Sequence, residues 1–271
     1  MIRTLITLDK DLASSIALRY ACNAARNFDM ALSALHVEDP GPKGRLPGTG
    51  WVQKSWETAL EEDGMQKIKA LIDMENIKFP ALGLPKVRIG DKTEETLLEA
   101  HTGNYDIFVE GLLATDSTAD FHQAVKSQLL RKMPLPSILV KNLIPLESMT
   151  LVLTREHDLG VLMPVLSYFI TQSGLPLEVF IWYPNNTDAL EFTDAKENRD
   201  AFFTRVEEGL KSADCPYSSI RGVTGPAALL AEEFGPRGLV ASVIGRKDPA
   251  EDQPCMSLLA RMESPVMVFW Q

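Results

Sequence analysis

Short apolar runs alternate with amphipathic helical stretches along the whole chain. Between the first two runs, for example, Ile16, Tyr20 and Ala24 recur at the spacing of one helix face. Five runs in the first half predict strands, at 2–8, 31–37, 86–89, 105–109 and 137–140. Strands that alternate with helices are typical of parallel βαβ units, and continuous apolar runs are typical of strands buried on both faces. The first half therefore predicts a doubly wound, five-stranded parallel sheet.

The second half repeats this order of strands and helices. Its predicted strands are at 150–153, 177–182, 218–223, 239–244 and 266–270. Each half also closes with a short apolar run introduced by a proline, Pro136 in the first half and Pro265 in the second. The pattern predicts an α/β chain of two tandem domains, residues 1–142 and 149–271, each a doubly wound five-stranded parallel sheet.

Composition and charge narrow the class of protein. Apolar residues make up 45% and charged residues 24% of the 271 residues, as in ordinary globular proteins. The net charge of −10 argues against nucleic-acid and membrane partners, since both need a basic face. No apolar run reaches the roughly 18–20 residues of a membrane-spanning helix, and residues 1–9 predict a strand rather than a signal peptide. Three cysteines without a C-x-x-C pair predict neither a disulfide framework nor a metal site, and we expect a cytoplasmic protein.

The predicted topology places candidate sites at the carboxyl ends of the strands. In doubly wound sheets, ligands bind where the strand order reverses, outside those ends. In the first half these places are Asp9, the segment 37–39 and Gly111. The matching positions of the second half are Thr154, Tyr183 and Gly245.

At these positions the sequence resembles the universal stress protein family in its tandem, two-domain form. The segments that carry the resemblance are 7–9 (Thr-Leu-Asp), 35–40 (Leu-His-Val-Glu-Asp-Pro), 106–111 and 134–140. The resemblance implies an adenine-nucleotide alpha-hydrolase-like fold with strand order 3-2-1-4-5. It also implies that the two fifth strands pair, so that the chain forms an internal dimer, and it leaves a further homodimer open.

In the nucleotide-binding branch of that family, a loop G-x-x-G-(nine residues)-G-[ST] holds the phosphates. Glycines let backbone N–H groups approach phosphate oxygens closely. Here Gly111 fits the first position, the second falls on Ala114, and the third falls on Ala124 or Gln123, depending on the direction of counting. A Cβ at each close-approach point obstructs the cradle, so the sequence predicts an eroded phosphate loop.

The charges around both loops agree with this prediction. Asp116 and Asp120 would lie near any triphosphate, and the sequence has no Lys or Arg between Gly111 and Lys126 to offset them. In the second half Gly245 fits the first glycine, but the second position is Asp248. Arg246 and Lys247 follow Gly245, which leaves an anionic ligand open there.

The resemblance also suggests which residues border a ligand. Asp9 and Val37 correspond to positions that meet the adenine and its surroundings in the binding branch, and Gly111 and Gly245 to loop glycines. The sequence therefore predicts a non-catalytic stress-response protein with a remnant nucleotide pocket, which binds a small ligand or a protein partner and needs no certain cofactor. The alternative is a universal stress protein that binds ATP or AMP in the first domain. An adenylating or flavin-carrying enzyme is a third hypothesis, although the sequence offers no convergent catalytic set.

Several of these residues have plainer interpretations. Asp9 could cap a turn, and His36 is interpreted as a core histidine satisfied by a neighbour rather than a metal ligand. The loop 41–50 has four glycines and two cations but lacks the phosphate-loop order, so it predicts a surface loop. The acidic stretch 188–200 predicts a solvated loop and helix start, and Trp270 a core or domain contact.

Overall fold

A computed structural model of the chain describes residues 1–41, 49–75, 84–112, 118–194, 200–246 and 253–271. Within these ranges the first half contains ten elements, in the predicted alternating order except that two helices lie between its last two strands. They are β1 (Ile2–Thr7), α1 (Leu12–Asn27), β2 (Met30–Glu38), α2 (Trp51–Met74), β3 (Lys86–Ile89), α3 (Lys92–Thr102), β4 (Ile107–Gly111), α4 (Thr118–Lys126), α5 (Gln128–Lys132) and β5 (Ser137–Val140).

The second half repeats the pattern with one additional strand. Its elements are β6 (Met149–Leu153), α6 (Leu159–Ser173), β7 (Leu177–Pro184), β8 (Glu191–Asp194), α7 (Ala201–Ser212), β9 (Ser219–Gly225), α8 (Ala227–Phe234), β10 (Leu239–Ile244), α9 (Pro254–Arg261) and β11 (Val266–Trp270).

All strands belong to one sheet with the order β3-β2-β1-β4-β5-β11-β10-β6-β7-β9-β8. Within each half the main strands are parallel and follow the order 3-2-1-4-5, which confirms the predicted fold class. The halves join where β5 pairs with β11 in antiparallel fashion, with Leu139 opposite Val266. The predicted meeting of the two fifth strands is thus present, while the division into domains 1–142 and 149–271 stays a prediction.

Side chains reinforce this seam between β5 and β11. The indole Nε1 of Trp270 donates to Ser137 Oγ at 3.2 Å, so Trp270 makes the predicted domain contact. Lys141, just after β5, donates from Nζ to the carbonyls of Leu259 at 2.6 Å and Met262 at 3.0 Å, at the end of α9. Because the last carbonyls of a helix lack intrahelical partners, this lysine of one half caps a helix of the other.

Helices cover both faces of the sheet. One face carries α1, α2, α6 and α7, and the other carries α3, α4, α5, α8 and α9. Successive strand residues point to opposite faces, so in β4 Ile107 and Val109 join the first layer and Phe108 the second. The central strands are therefore apolar throughout, which is why their runs lack alternation.

Strand β8 corrects part of the prediction for residues 188–200: the predicted loop contains a strand, whereas the predicted helix start is present, since Asp200 is the N-cap of α7. Residues 191–194 pair antiparallel to β9 at the edge of the sheet, with Phe192 opposite Val223. The Phe192 ring also meets the Phe180 ring edge to face, with centroids 6.4 Å apart. The segment has no apolar alternation, so pairing and one aromatic contact decide its conformation.

Candidate functional site

Asp9 lies two residues beyond β1, at the carboxyl edge where the sequence placed it. Its side chain is 28% exposed, and both carboxylate oxygens have cationic partners. Oδ1 lies 3.1 Å from Nδ1 of His36, and Oδ2 forms an ion pair with Nζ of Lys92, the first residue of α3. The carboxylate thus pairs with side chains, and the turn is capped instead by Asp11, which accepts from Ser14 N at 2.7 Å to start α1.

His36 is the centre of the site. Its side chain is only 6% exposed, and its two ring nitrogens face three acceptors. Nδ1 lies 2.7 Å from the carbonyl oxygen of Leu8, and Nε2 lies 2.9 Å from Oε1 of Glu38. Burial by itself lowers the pKa of His36, but the bonds to Asp9, Leu8 and Glu38 outweigh it and raise the pKa to about 9. The ring is therefore a buried imidazolium at neutral pH.

These neighbours agree with the interpretation of His36 as a satisfied core histidine. In the described segments, the structure contains no group of three His, Cys, Asp or Glu side chains that could hold a metal ion. The imidazolium form also has no lone pair to offer a metal.

The charges continue from His36 into helix α2. Glu38 accepts from Nζ of Lys67 at 2.5 Å, and Lys67 also pairs with Asp63 at 2.9 Å. Signs alternate along the row from Lys92 through Asp9, His36 and Glu38 to Lys67; we call these five residues the charge row. It ties β1, β2, α2 and α3 together at one edge of the sheet.

The charge row also shifts the titration of Asp9. The hydrogen bond from His36 is the main cause that lowers the pKa of Asp9 to about 2, and Lys92 adds to it against the opposing effect of burial. Asp9 is therefore ionised throughout the physiological range, and its charge is compensated inside the protein.

Glycine at position 64 lets α2 approach this row. A Cβ there would lie 2.7 Å from Cγ1 of Val87 and 3.0 Å from Cδ2 of His36. Real Cβ atoms do not make such contacts, so any larger residue would push α2 away from β2 and separate Lys67 from Glu38.

Gly111 ends β4 and lies against the start of α1. A Cβ built on Gly111 would lie 2.0 Å from the carbonyl oxygen of Ala13. The glycine is thus required for close packing of α1 on β4, whether or not a ligand is bound. Its predicted role beside a ligand stays a prediction.

Glu110, the residue before Gly111, adds negative charge to this edge. The residue is half-buried, but burial of its carboxyl group raises the pKa to about 7; Lys92 opposes this effect, and Asp9 and Asp11 reinforce it. The carboxyl group is therefore close to half-ionised at neutral pH.

Val37 does not join the charge row. It stands between His36 and Glu38 in β2, so its side chain points to the opposite face of the sheet. There it packs, half-buried, against the second helix layer. The structure thus brings Asp9 next to His36 rather than next to the side chain of Val37.

The second half has an uncharged cluster at the position of Asp9. The N–H of Thr154 donates to Nδ1 of His157 at 3.2 Å, and Nε2 of His157 lies 3.8 Å from Sγ of Cys255. Burial lowers the pKa of His157 to about 4 and raises that of Cys255 to about 11. Both groups are neutral at neutral pH, so this thiol is not activated as a nucleophile.

Gly245 and Tyr183 are the other positions predicted in the second half. Among the described residues, the nearest atom to a Cβ added at Gly245 is Nε2 of Gln253, 3.8 Å away. The hydroxyl of Tyr183 donates to Asp200 at 3.2 Å, and Arg155 lies over its ring. Thr154 and Tyr183 therefore have hydrogen-bond partners, whereas the described residues make no close contact at Gly245.

Parts of the two predicted phosphate loops fall outside the described residues, namely Ala114, Asp116, Lys247 and Asp248. Residues 42–48 of the glycine-rich stretch, which was predicted to be a surface loop, also fall outside them. Gln123 and Ala124 are described, and both lie inside α4. The third loop position is therefore helical by either count.

Sequence reasoning missed two members of the charge row. Glu38 fell inside the candidate segment 37–39 but was given no role of its own, although residues two apart in a strand share a face and His36 is its neighbour on that face. Lys67 and Lys92 had no local signal, since their contacts bridge 29 and 83 positions of sequence.

In the part of the chain that the structure describes, no helix is both long and apolar enough to cross a bilayer.

Comparison with known proteins gives a likeness of fold. No family model matches the chain. No curated protein matches it in sequence. A universal stress protein structure from Archaeoglobus fulgidus DSM 4304 matches with a TM-score of 0.61 and 14% identity, over 99% of this chain and 96% of that one. A functionally unknown protein from Pseudomonas aeruginosa PAO1 matches with a TM-score of 0.57 and 14% identity, over 99% and 92%. The chain thus has, over nearly its whole length, the fold of solved universal stress proteins.

Proposed function

We propose that this chain is a non-catalytic stress-response protein, a tandem universal stress protein whose first-half nucleotide pocket is closed by its own charges. The first-half pocket is the edge around Asp9, Val37 and Gly111. The observation that carries the proposal is the pairing of Asp9 within the protein, in which one oxygen bonds His36 and the other bonds Lys92.

Energetics favour the closed state of this pocket. A nucleotide that used Asp9 as an acceptor would have to share an oxygen already bonded to His36 or Lys92, or displace one of these two partners. Hydrogen bonds to charged groups are worth about 1.5–3 kcal/mol each, and a buried imidazolium left without its carboxylate costs still more. Neutral hydroxyl or amine groups of a nucleoside cannot return that energy.

Phosphates would find little to hold them at the same edge. Gly111 is the only one of the family's three loop glycines that the sequence keeps in this half. The carboxylates of Asp11 and Glu110 stand beside the strand end and repel phosphate oxygens. Lys92, a cation of the charge row at this edge, is already paired with Asp9.

The neutral state of the histidine–thiol pair in the second half supports a binding role. Among the described residues, the one thiol next to a histidine is Cys255, and burial keeps both partners neutral. We therefore propose that the protein acts by binding a small ligand or a protein partner, on a scaffold in which the two halves pair internally.

A thermal-shift assay tests this proposal. Mg-ATP and AMP, added at near-saturating concentration, are expected to leave the melting temperature of the wild type unchanged. Purified protein, once denatured, is expected to release no material that absorbs at about 260 nm. Asp9→Asn serves as the matched control. Stabilisation that follows mass action in the wild type and is lost in Asp9→Asn would establish the alternative, an ATP- or AMP-binding protein.

A further inference from the structure

A cavity of about 210 Å³ lies at the seam between the two halves, and we call it the seam cavity. Its lining includes Pro134 and Pro136, just before β5, and Val161 and Val165 of α6. Trp270, at the end of β11, also lines it. The seam cavity is thus built from both halves and shares no residue with the first-half pocket.

Most of the residues that line the seam cavity are apolar. Val161 and Val165 are 53% and 37% exposed, on a helix whose remaining apolar residues are largely buried. Trp270 is only 8% exposed, and its indole nitrogen is already bonded to Ser137. An apolar ligand in the cavity would therefore cover exposed valine surface and displace no hydrogen bond of the indole.

One cation borders this apolar space. Arg246 follows Gly245 at the end of β10, and its guanidinium carbon lies 5.5 Å from the ring centroid of Trp270. One guanidinium nitrogen donates to the carbonyl of Arg131 at 3.0 Å. Within the described segments Arg246 forms no ion pair with a carboxylate, and burial lowers its pKa. Its charge is thus only partly compensated.

The arginine is a feature of the second half alone. Leu112 is its counterpart in the first half: the N–H of Leu112 donates to Val140, and the N–H of Arg246 donates to Gln271 in the same way. The fold therefore does not require a cation at this position. An isolated guanidinium beside an indole and an apolar wall is suited to a carboxylate with an apolar body.

We propose that the seam cavity binds a small aromatic monocarboxylate. Its ring would lie against Pro136, Val161 and Val165, and its carboxylate would pair with Arg246. A cavity of about 150 Å³ is enough for benzene, so the additional volume accommodates one carboxyl group. This inference deepens the proposed function. It rests on that function only for the claim that the chain binds a small ligand.

Asp158 limits the charge of this ligand. It lines the same cavity, and its carboxylate accepts from Gly160 N at 2.8 Å as the N-cap of α6. A second negative charge on the ligand would face this fixed carboxylate. The ligand class is therefore a monoanion rather than a dicarboxylate or a phosphate ester.

Calorimetric titration with benzoate tests the inference. We expect binding with a dissociation constant of about 1 mM or tighter. Benzamide, which lacks the charge, and phthalate, which has two, are each expected to bind at least about ten-fold more weakly. Arg246→Gln should weaken benzoate binding by about ten-fold or more, whereas Arg237→Gln, an equal charge change at an exposed site, should have no effect.

A second variant keeps the test decisive if Arg246→Gln fails to fold. Val165→Asp places a carboxylate on the partly exposed cavity wall and should abolish benzoate binding without unfolding α6. Equal benzoate affinity in wild type, Arg246→Gln and Val165→Asp would overturn the inference, as would no binding by folded wild type at about 10 mM. Neither result depends on ATP. The benzoate titration therefore tests the seam cavity separately from the claim that the first-half pocket excludes nucleotides.

Discussion

The imidazole of His36 lies 3.1 Å from the carboxylate of Asp9 and 2.9 Å from that of Glu38. One buried cation thus joins two carboxylates at the ends of neighbouring strands. Lys92 and Lys67 stand at the outer ends of the same row. The edge where a doubly wound sheet normally receives its ligand is therefore occupied by groups of the protein itself.

Loss of the central cation should destabilise the fold. His36→Gln leaves buried Glu38 and partly exposed Asp9 without their shared cation. Removing one partner of a buried pair costs about 3–5 kcal/mol, and we expect a smaller loss here because Lys67 and Lys92 stay paired with the two carboxylates. Urea unfolding measures the change. His101→Gln, on the exposed end of α3, is the control and should change stability by less than about 0.5 kcal/mol. Equal stabilities of the two variants would contradict the charge row.

The stability that His36 contributes should depend on pH in a defined direction. The folded-state pKa of His36 is raised from 6.5 to about 9, so its contribution is complete below about pH 6.5 and is lost as the pH rises through 9. The pKa of Asp9 is lowered from 3.8 to about 2, so its contribution is present above about pH 4 and is lost as the pH falls through 2. The difference in unfolding free energy between wild type and His36→Gln should be largest between about pH 4 and 6.5. A difference that grows from pH 6.5 to 9 would show that the ring is neutral.

Glycine at position 111 should be needed for packing, and glycine at 245 should not. In Gly111→Ala the new Cβ would lie 2.0 Å from the Ala13 carbonyl, so α1 must move. We expect a loss of about 2–4 kcal/mol, in the range of overpacked or displaced cores. Gly245→Ala is the matched control, because its nearest atom is 3.8 Å away, and should be almost neutral. The melting temperatures of the two variants measure this difference, and equal values would contradict the packing role of Gly111.

Neutralising Glu110 should stabilise the protein only at higher pH. Burial raises its folded-state pKa from 4.5 to about 7, so the wild type loses stability as the pH rises through 7. Glu110→Gln removes this loss. Relative to wild type, the variant should therefore gain melting temperature at pH 8 and gain least at pH 5. The same gain at both values would mean that the carboxyl group is ionised throughout.

Sequence pattern was sufficient for features that repeat or have a fixed period. Strand order and the pairing of β5 with β11 followed from the duplicated β/α pattern and the resemblance. The position of Asp9 at a strand end followed from the same pattern. Residue 111 was identified as special, but its contact with Ala13 depends on how closely α1 packs, which spacing does not encode.

Features that depend on distant contacts could not be predicted. Strand β8 has no apolar alternation, and its conformation comes from pairing with β9. Ser127 separates helices α4 and α5, because its Oγ accepts from the N–H of Leu130 at 3.2 Å and starts a new helix. The pairing of Lys92 with Asp9 joins residues 83 positions apart, and nothing local marks it.

Isothermal titration of Mg-ATP into the wild-type protein tests the central claim most directly. That claim is that Asp9 is paired with His36 and Lys92 and that the first-half pocket is closed to nucleotides. We predict heats no larger than those of dilution, in wild type and in Asp9→Asn alike. Saturable binding of one nucleotide per chain in the wild type, lost in Asp9→Asn, would contradict the account.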